Sequence, residues 1–464
     1  MIDLSSVPKS LQDVRVTVLG AARSGIGACR LLAQHKGARV FLSDSGECRL
    51  SEAVLSELKQ LGVETEFGGH SARVTQSELV VISPGIPGTA PVVQKLEKLH
   101  IPLVSEIELG AWFSAEARII AVTGSNGKTT TTTLLGEIFK RSDYDSYCGG
   151  NIGISFCDLL LEAGKSSAPR KVFILELSSF QLERIVHFRP YLSIMLNVTD
   201  DHMDRYDHDI NKYMNAKLRI AENQGSDDFY IYNADDVRLL SKLPANCRPI
   251  PFGIYSSIKK PLEFREKAIY FDDGRKFIDQ SALALPGEHN LYNMLAASTA
   301  ALIMNVPALV ITDVLHSFKS IEHRLEFVKT INRVDYYNDS KATNVDSVQY
   351  ALKSFQKPVV VILGGKDKDS DFSILIEPLR KHAKAVILIG HAAGKIRSVL
   401  GDVIPLHDAT TMQDAVELGQ KLALPGDVVL LSPACASFDM FDNFEHRGRV
   451  FKERVLSLEE KGSN

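Results

Sequence analysis

The chain has 464 residues, of which 45% are hydrophobic and 24% charged, and its 53 Lys and Arg against 57 Asp and Glu give a formal charge of −4. These values exclude a mainly disordered or fibrous protein, and the near-neutral balance disfavours a nucleic-acid binder that neutralises many phosphates. A chain of this length accommodates two to four domains, each with its own core.

The cysteines and the apolar segments predict the cellular compartment. The six cysteines form no Cys-x-x-Cys pair, which favours free thiols in a reducing compartment. The N-terminus lacks the basic region and apolar run of a secretory signal, and the apolar window 291–312 is interrupted by Asn293, Asn305 and Pro307. We therefore expect a cytoplasmic protein that binds neither membranes nor nucleic acid.

Short apolar runs alternate with helical patterns in three stretches of the chain. The runs are 14–20, 38–46 and 78–87 in the first stretch, 117–124, 171–179, 191–199 and 227–235 in the second, and 357–365, 383–390 and 426–433 in the third. Strands that alternate with helices in this way are typical of parallel sheets covered on both faces. We predict three α/β domains, over residues 1–110, 111–320 and 321–464.

The segment AVTGSNGKTTTTTLLGEIF has the properties of a phosphate-binding loop. Gly124 and Gly127 follow a buried strand, and Lys128 and Thr129 begin an amphipathic helix. Glycines let backbone N–H groups approach an anion, lysine supplies a charge, and a threonine hydroxyl can bind Mg²⁺. The spacing Gly-x-x-Gly-Lys-Thr is two residues shorter than the usual P-loop, and an ordinary turn between strand and helix is the alternative. The segment predicts nucleoside triphosphate binding.

Carboxylates and a histidine that could bind a metal follow the next strands. Glu176 lies at the carboxyl end of a buried strand, where ligands bind in open α/β sheets, so it needs a metal or a cationic partner. Further along, Asp200, Asp201, His202, Asp204 and His208 follow another strand end. We interpret His208 and Asp209 as part of a solvated loop, and His202 as the better ligand because it is nearer to the strand.

A second glycine-rich turn, GAARSG at 20–25, is similar to a dinucleotide fingerprint. Asp44 falls at the end of the next strand, where an acid that binds ribose is expected. Ala22 replaces the middle glycine, which normally lets the backbone approach a pyrophosphate. NAD binding, a purely structural turn and binding of another nucleotide-linked group all remain open on these residues, and the last is favoured.

Ten segments together carry a family resemblance. They are GSNGKTT, GGNIG (149–153), ELSSFQLE (176–183), NVTDDHMDRY (197–206), AKLRI (216–220), GEHNLYN (287–293), HRLE (323–326), NDSKATN (338–344), LGGKDK (363–368) and SPACASFDMFDNFEHRG (432–448). In this order, over about residues 14–449, they resemble the Mur ligases of peptidoglycan synthesis. The resemblance implies an N-terminal Rossmann-like domain for a UDP-linked substrate, a central P-loop-type ATPase domain, and a C-terminal Rossmann-like domain for an amino acid.

The C-terminal motifs are most similar to those of the family members that add D-glutamate to UDP-N-acetylmuramoyl-L-alanine. The resemblance therefore implies a cytoplasmic, ATP-dependent, ADP-forming ligase that serves peptidoglycan synthesis, cell shape and cell division. ATP would phosphorylate the substrate carboxylate to an acyl phosphate, which the amine of D-glutamate then attacks. We expect a monomer.

The resemblance also implies the ATP and metal sites. The phosphate loop would comprise Gly124, Ser125, Asn126, Gly127, Lys128, Thr129 and Thr130. Asn293 would contact adenine, Asp339 the ribose, and Arg324 and Lys341 the phosphates. Two Mg²⁺ ions are implied, one held by Thr129 and Glu176 and the other by His202 and Lys217, and Lys128, His202 and Lys217 would be the catalytic residues. Lys217 matches a lysine that carries a CO₂-derived carbamate in this family, whereas alone it would be interpreted as a surface lysine.

The substrate sites are implied in the same way. The uridine end would lie near Arg23, Ser24, Asp44, Ser45 and Gly85, and the sugar and alanine near Asn151, Ser178 and Gln181. Thr343 and Lys368 would bind one carboxylate of D-glutamate, and Ser437 and Phe444 the other. The alternative for Ser437 and Phe444 is that they only pack a loop.

Two other functions remain alternatives at this point. Another amide ligase of the superfamily is one, although the first-domain turn argues against folylpolyglutamate synthetase, which lacks a comparable nucleotide-sugar domain. A P-loop ATPase or dehydrogenase-like regulator, which binds nucleotides without forming a bond, is the other. ADP release that depends on D-glutamate separates the two classes.

Overall fold

The computed structural model describes residues 11–34, 37–114, 117–285, 287–318 and 322–458. The chain divides into two compact units, of which the first comprises Met1–Val198, Asn211–Ala282 and Tyr292–His316 and the second Thr199–Ile210, Leu283–Leu291 and Ser317–Asn464. The strands are β1 Arg15–Leu19, β2 Arg39–Asp44, β3 Glu64–Phe67, β4 Leu79–Ile82, β5 Leu103–Ser105, β6 Arg118–Thr123, β7 Asp145–Gly150, β8 Lys171–Glu176, β9 Leu192–Met195, β10 Phe229–Asn233, β11 Arg248–Phe252, β12 Leu262–Arg265, β13 Ala268–Phe271, β14 Lys276–Asp279, β15 Glu326–Ile331, β16 Val334–Asn338, β17 Val359–Gly364, β18 Ala383–Ile389, β19 Leu406–Asp408 and β20 Val428–Leu431.

The α-helices cover the sheets and connect the strands. They are α1 Arg23–Gln34, α2 Glu52–Gln60, α3 Pro91–Lys98, α4 Glu106–Trp112, α5 Lys128–Lys140, α6 Phe156–Ala163, α7 Ser179–Leu182, α8 Ile210–Leu218, α9 Val237–Leu240, α10 Glu288–Ile303, α11 Ala308–Ser317, α12 Val345–Lys353, α13 Ile376–His382, α14 Ala393–Leu400, α15 Met412–Leu422 and α16 Phe444–Leu456. None of the helices in the described part of the chain is long and apolar enough to span a bilayer.

The first unit contains a parallel sheet of five strands in the order β3-β2-β1-β4-β5. Val16 and Val18 of β1 are buried, as are all four residues of β4, because helices cover both faces. The strand order reverses between β1 and β4, and ligands of open α/β sheets bind outside the carboxyl ends of strands at such a point. The turn at 20–25 follows β1 at this edge.

A second parallel sheet in the same unit has six strands in the order β11-β10-β9-β6-β8-β7. Its central strand β6 pairs with β8 on one side and β9 on the other, so the carboxyl ends of these three strands meet at one edge. An antiparallel sheet, β12-β13-β14, follows in the chain.

The second unit contains a six-stranded sheet in the order β15-β16-β20-β17-β18-β19. Only the pair β15 and β16 is antiparallel in this sheet, and the other pairs are parallel. Apolar clusters lie on the two faces of β17: Val359, Val361 and Leu363 pack on one side, and Val360 and Ile362 on the other. The alternation follows from the two-residue period of a strand.

The predicted α/β class with parallel sheets is confirmed. Each apolar run named above contains a strand, and the apolar window 291–312 forms most of α10, the beginning of α11 and the turn that joins these helices. The antiparallel strands β12–β14 and β15–β16 were not predicted. Of the two predicted domain boundaries, residue 110 lies inside α4, and residue 320 lies outside the described residues.

Helix α4 carries a fully buried carboxylate that joins the two parallel sheets of the first unit. Glu108 Oε1 accepts hydrogen bonds from Trp112 Nε1 at 2.7 Å and His187 N at 2.8 Å. Its Oε2 accepts from Val186 N at 2.8 Å and Phe188 N at 2.9 Å. An ionised carboxylate only accepts hydrogen bonds, so it suits a site lined by four donors.

We expect Glu108→Gln to lower the free energy of unfolding by about 3 kcal/mol. The amide replaces one acceptor oxygen with an NH₂ group, which leaves two of the buried N–H donors without an acceptor. Chemical denaturation measures the loss. The exposed Glu47 provides the control, and Glu47→Gln should change stability by less than about 0.5 kcal/mol. Equal stability of the two variants would contradict the assignment of Glu108 as the acceptor of four stabilising hydrogen bonds.

Candidate functional site

The phosphate-loop segment joins β6 to the N-terminus of α5, which has 13 residues. Gly127 precedes the helix with a φ of 86°, and Gly124 has a φ of 151°. A Cβ atom on Gly127 would lie 2.2 Å from Asn293 Oδ1, and one on Gly124 would lie 2.9 Å from Leu196 Cβ. The loop therefore requires glycine at both positions, for conformation and for space.

Asn197, just after β9, fixes the shape of this loop. Its Oδ1 accepts a hydrogen bond from Asn126 N at 2.8 Å, and its Nδ2 donates to Asn126 O at 3.1 Å. The backbone of Asn197 adds a third bond, from Ser125 N at 2.9 Å. Sequence reasoning did not single out Asn197 as a functional residue, although its position beside a strand end, within the NVTDDHMDRY segment, was a usable signal.

Two lysines converge on the carbonyl of Gly124. Lys128 Nζ donates to Gly124 O at 2.7 Å and to Ser125 O at 2.8 Å, so its side chain folds back over the loop. Lys217 on α8 is only 1% exposed, and its Nζ donates to the same Gly124 O at 2.9 Å. The alternative of a surface lysine at 217 is therefore wrong.

Four further predicted ATP and metal residues of the first unit are buried. Thr129, Thr130, Asn293 and Glu176 are 6%, 1%, 4% and 1% exposed, respectively. Glu176 Oε1 accepts a hydrogen bond from Asn151 Nδ2 at 2.9 Å, and its backbone carbonyl accepts from Asn151 N at 2.8 Å. This links a predicted metal ligand to a predicted substrate residue.

The predicted sugar-binding residues Ser178 and Gln181 also interact with each other. Ser178 is the N-cap of α7, and its Oγ accepts a hydrogen bond from Gln181 N at 3.3 Å. Gln181 Oε1 in turn accepts from Ser178 N at 3.0 Å, which completes a capping box. The cap fixes both side chains immediately after the carboxyl end of β8.

The predicted uridine residues lie at the carboxyl edge of the first sheet. Asp44 Oδ2 accepts a hydrogen bond from Ala21 N at 2.7 Å, and its Oδ1 accepts from Gly46 N at 2.8 Å. Arg23 is exposed and donates to Gly153 O at 2.8 Å. Ser24 Oγ is 3.5 Å from Ser83 Oγ, while Ser45 and Gly85 are both exposed.

In the second unit, Asp339 and Arg324 interact electrostatically. Asp339 is 5% exposed, and burial raises the pKa of its carboxyl to about 7, although the charge of Arg324 opposes the rise. Its Oδ1 accepts from Leu325 N at 3.2 Å, and its Oδ2 accepts from Ser432 Oγ at 2.8 Å. These bonds hold a predicted ribose ligand in one orientation.

Lys341 and Phe444 also lie together in this unit. Lys341 Nζ lies 4.2 Å from the centroid of the Phe444 ring, which is a cation–π distance. Ser437 is 2% exposed and Thr343 is half-buried. The predicted contacts of Ser437 and Phe444 with a carboxylate remain predictions.

Lys368 forms an ion pair that the sequence did not predict. Its Nζ lies 3.0 Å from Asp201 Oδ1, and Asn344 Nδ2 donates to Asp201 Oδ2 at 3.4 Å. The adjacent His202 is half-buried with a φ of 57°, and its Nε2 lies 3.6 Å from Asp201 Oδ2. By contrast, His208 is exposed and pairs with Asp369 at 3.3 Å.

The residues present suit a nucleoside triphosphate and Mg²⁺. The glycine loop leaves no room for side chains at 124 and 127, and α5 directs its N-terminus at that loop. Buried hydroxyl and carboxylate oxygens at Thr129 and Glu176 are the ligand type that Mg²⁺ prefers.

We expect Gly127→Ala to weaken both the fold and nucleotide binding. A left-handed conformation costs a non-glycine residue about 1–2 kcal/mol, and the clash with Asn293 adds to it. Gly62→Ala is the control, because Gly62 has a similar φ of 76° and open space around the new Cβ. Thermal denaturation and ATP titration calorimetry measure the effects. If both variants lose the same stability and Gly127→Ala binds ATP normally, the close approach to Asn293 has no consequence.

Comparison with known proteins places these features in a family. Residues 122–301 match the family model of the Mur ligase middle domain, and residues 323–435 match that of the Mur ligase glutamate ligase domain. A protein of Salinibacter ruber named UDP-N-acetylmuramoylalanine--D-glutamate ligase is 43% identical to the chain, over 97% of the chain and 99% of the relative. A protein of Koribacter versatilis with the same name is also 43% identical, over 96% and 98%.

Solved structures share the fold at lower identity. UDP-N-acetylmuramate-alanine ligase MurC from Thermotoga maritima is 19% identical with a TM-score of 0.60, over 96% of this chain and 99% of that one. MurF ligase from Thermotoga maritima, in complex with ADP, is 16% identical with a TM-score of 0.58, over 97% and 96%. From the near full-length relatives and the two matched domains, we conclude that the chain belongs to the Mur ligase family.

Proposed function

We propose that the chain is the ATP-dependent ligase that joins D-glutamate to UDP-N-acetylmuramoyl-L-alanine in peptidoglycan precursor synthesis. The observation that carries the proposal is the glycine loop before α5, with Lys128 folded over it and Lys217 buried against it. Relatives at 43% identity over nearly the whole chain bear the name of this activity. We further propose that the protein acts as a cytoplasmic monomer.

The domain assignment belongs to the same proposal. Residues 1–110 form a Rossmann-like domain that binds the UDP substrate, 111–320 a P-loop-type ATPase domain, and 321–464 a Rossmann-like domain that binds the amino acid. The reversal of strand order between β1 and β4 supports the first assignment, and the loop after β6 supports the second.

The reaction has two steps. A carboxylate oxygen of the alanyl group attacks the γ-phosphorus of ATP, so ADP leaves and an acyl phosphate forms. The amine nitrogen of D-glutamate then attacks the acyl carbon, loses a proton, and displaces inorganic phosphate to leave an amide. Phosphoryl transfer needs positioning and charge neutralisation. Lys128 supplies a positive charge at the loop, and Asn197 holds the loop's backbone in position.

Two Mg²⁺ ions would neutralise charge on the phosphate oxygens when bound. We propose that Thr129 and Glu176 hold one ion, and that His202 and a carbamate on Lys217 hold the other. Asn151 supports this role of Glu176, because its amide orients one carboxylate oxygen.

Substrate groups are assigned to the remaining residues. We propose that adenine binds Asn293, ribose Asp339, and the phosphates Arg324 and Lys341. The uridine end binds near Arg23, Ser24, Asp44, Ser45 and Gly85, and the sugar and alanine near Asn151, Ser178 and Gln181. Thr343, Lys368, Ser437 and Phe444 bind the two carboxylates of D-glutamate.

A phosphate-release assay tests the proposal. With ATP, Mg²⁺ and UDP-N-acetylmuramoyl-L-alanine, we expect release only when D-glutamate is added. L-Glutamate should fail because its opposite configuration misplaces a carboxylate, and D-alanine should fail because it lacks the second carboxylate. In both cases hydrogen-bond donors of the site would remain unpaired. Release without any amino acid would indicate a simple ATPase, and release with another amino acid would indicate a different ligase of the family.

We expect Lys368→Ala to raise the KM for D-glutamate by about ten- to a hundredfold, with a much smaller effect on the KM for ATP. The loss corresponds to one charge-assisted hydrogen bond. In the structure the same ammonium pairs with Asp201, so it already binds a carboxylate. The exposed Lys366 is the matched control, and Lys366→Ala should leave both KM values unchanged. A change confined to the ATP dependence would contradict the assignment.

A further inference from the structure

Arg447 is the largest side chain that is almost fully buried in the described part of the chain, at 2% exposure. It lies in the first turn of α16. Its Nε donates to Ser340 Oγ at 2.9 Å, and its Nη2 donates to Ser340 O at 2.8 Å. Its Nη1 donates to Cys435 O at 3.1 Å and to Ala436 O at 3.3 Å. One guanidinium thus binds two separate loops.

Each of these loops carries residues of the proposed site. Ser340 directly precedes Lys341, and Thr343 follows in the same loop. Cys435 and Ala436 directly precede Ser437. The first loop therefore supplies proposed ATP and D-glutamate contacts, and the second supplies a D-glutamate contact.

Two further hydrogen bonds support this arrangement. The backbone of Ala434 donates to Ala342 O at 3.0 Å. Ser340 Oγ donates to Phe444 O at 2.8 Å, which connects the first loop to the start of α16. Arg447 adds four bonds to this arrangement, and its one side chain links the two loops.

The geometry requires a guanidinium. Its planar fork has five N–H donors that point in different directions, whereas lysine has a single ammonium. Burial lowers the pKa of Arg447 to about 10, so the group keeps its charge at neutral pH. A buried cation that binds mainly carbonyl oxygens is costly to desolvate, and the four hydrogen bonds of Arg447 offset part of that cost.

We propose that Arg447 is a positioning residue. It sets the distance between the loop at 340–343 and the loop at 435–437, so that ATP and D-glutamate are held in the relative positions that the reaction needs. This inference rests on the proposed function. A displacement of about 1 Å in a reacting group can cost about a hundredfold in rate. The loss of Arg447 should therefore affect two substrates together and not the third.

Steady-state kinetics of Arg447→Lys and Arg447→Ala test the proposal. We expect Arg447→Lys to raise the KM for both ATP and D-glutamate about tenfold or more and to lower kcat, while the KM for UDP-N-acetylmuramoyl-L-alanine stays within twofold. Millimolar guanidinium should restore part of the activity of Arg447→Ala, and methylammonium at the same concentration should not, because only guanidinium matches the four acceptors.

The control is Arg454→Ala, since Arg454 is exposed two turns later on the same helix. It should behave as wild type. Variants that lower the Tm but leave every KM unchanged would show a purely structural role and overturn the proposal, as would equal rescue by the two cations. If Arg447→Ala does not fold, the KM pattern of Arg447→Lys decides alone. If the wild-type protein itself releases no phosphate with D-glutamate, the proposed function fails first, so the two failures are distinguishable.

Discussion

Lys128→Ala should reduce turnover by at least about a hundredfold while leaving the fold intact. The variant lacks one positive charge that is held in place beside the phosphate being transferred. Lys128 donates to two carbonyls of its own loop, at 2.7 and 2.8 Å, and its side chain is partly exposed, so its removal leaves the buried core unchanged.

Phosphate release and circular dichroism, measured on the same preparation, provide the test. Lys140→Ala is the matched control, because Lys140 is an exposed lysine at the end of the same helix. Turnover of Lys128→Ala within a few-fold of the control would remove Lys128 from the proposed mechanism. A collapse of both fold and activity would show that Lys128 stabilises the loop and not the reaction.

Exposed or half-buried strands of the parallel sheets, such as β3 and β19, give no apolar signal in the sequence. The central strands could be predicted, because each is a short, mostly buried apolar run. The strand β6, for example, has five buried residues of six, and glycine follows it directly. All six residues of β17 are likewise buried, and a second glycine follows the glycine that ends the strand. The hydrophobicity of such a run identifies the strand without knowledge of the strand it pairs with.

The antiparallel strands could not be predicted in the same way. Strand β15 has one buried residue and β12 has one, so neither shows the apolar run of a central strand. Their pairing depends on the partner strand and on the turn between them, which composition does not report. The bulge between Phe327 and Lys329 further disrupts the two-residue period of β15.

The residues of the candidate site also fall into a group that the sequence could predict and a group that it could not. The residues of the predicted phosphate loop are contiguous, so their spacing and the flanking strand and helix could be read directly from the sequence. The pair of Lys368 and Asp201 joins positions 167 residues apart, and Arg447 and Ser340 are 107 apart. Contacts of that kind exist only in the folded chain, and the residue types involved are common on any surface.

Lys217→Ala should be nearly inactive, with kcat lower by about a hundredfold or more, and should regain part of its activity with added formate or acetate. An unmodified lysine is a cation, which would repel a metal ion. Reaction of its neutral amine with CO₂ forms an N–C bond and releases one proton, and the product is an anionic carbamate with two oxygens. A small carboxylate can supply the same charge and oxygens in the space vacated by the side chain.

The side chain of Lys217 is enclosed beside the phosphate loop. The side chain is 1% exposed, its Nζ lies 2.9 Å from Gly124 O, and it sits 4.4 Å from the centroid of the Tyr213 ring. The neutral amine is the form that attacks CO₂, so the ammonium must first release a proton. The position against the phosphate loop would place the carbamate where a metal that binds the nucleotide is needed.

Two variants of other lysines in the chain serve as controls for the rescue by small carboxylates. Lys212→Ala removes an exposed lysine from the same helix and should keep full activity. Lys128→Ala should stay inactive with formate or acetate, because a second anion cannot replace a cation on the phosphate. Carbon-13 NMR of the wild-type enzyme in labelled bicarbonate should show a carbamate signal that Lys217→Ala lacks. An active, Mg²⁺-loaded enzyme with an unmodified lysine at 217, or equal rescue of both lysine variants, would eliminate the carbamate and leave Lys217 as a hydrogen-bond donor to the loop.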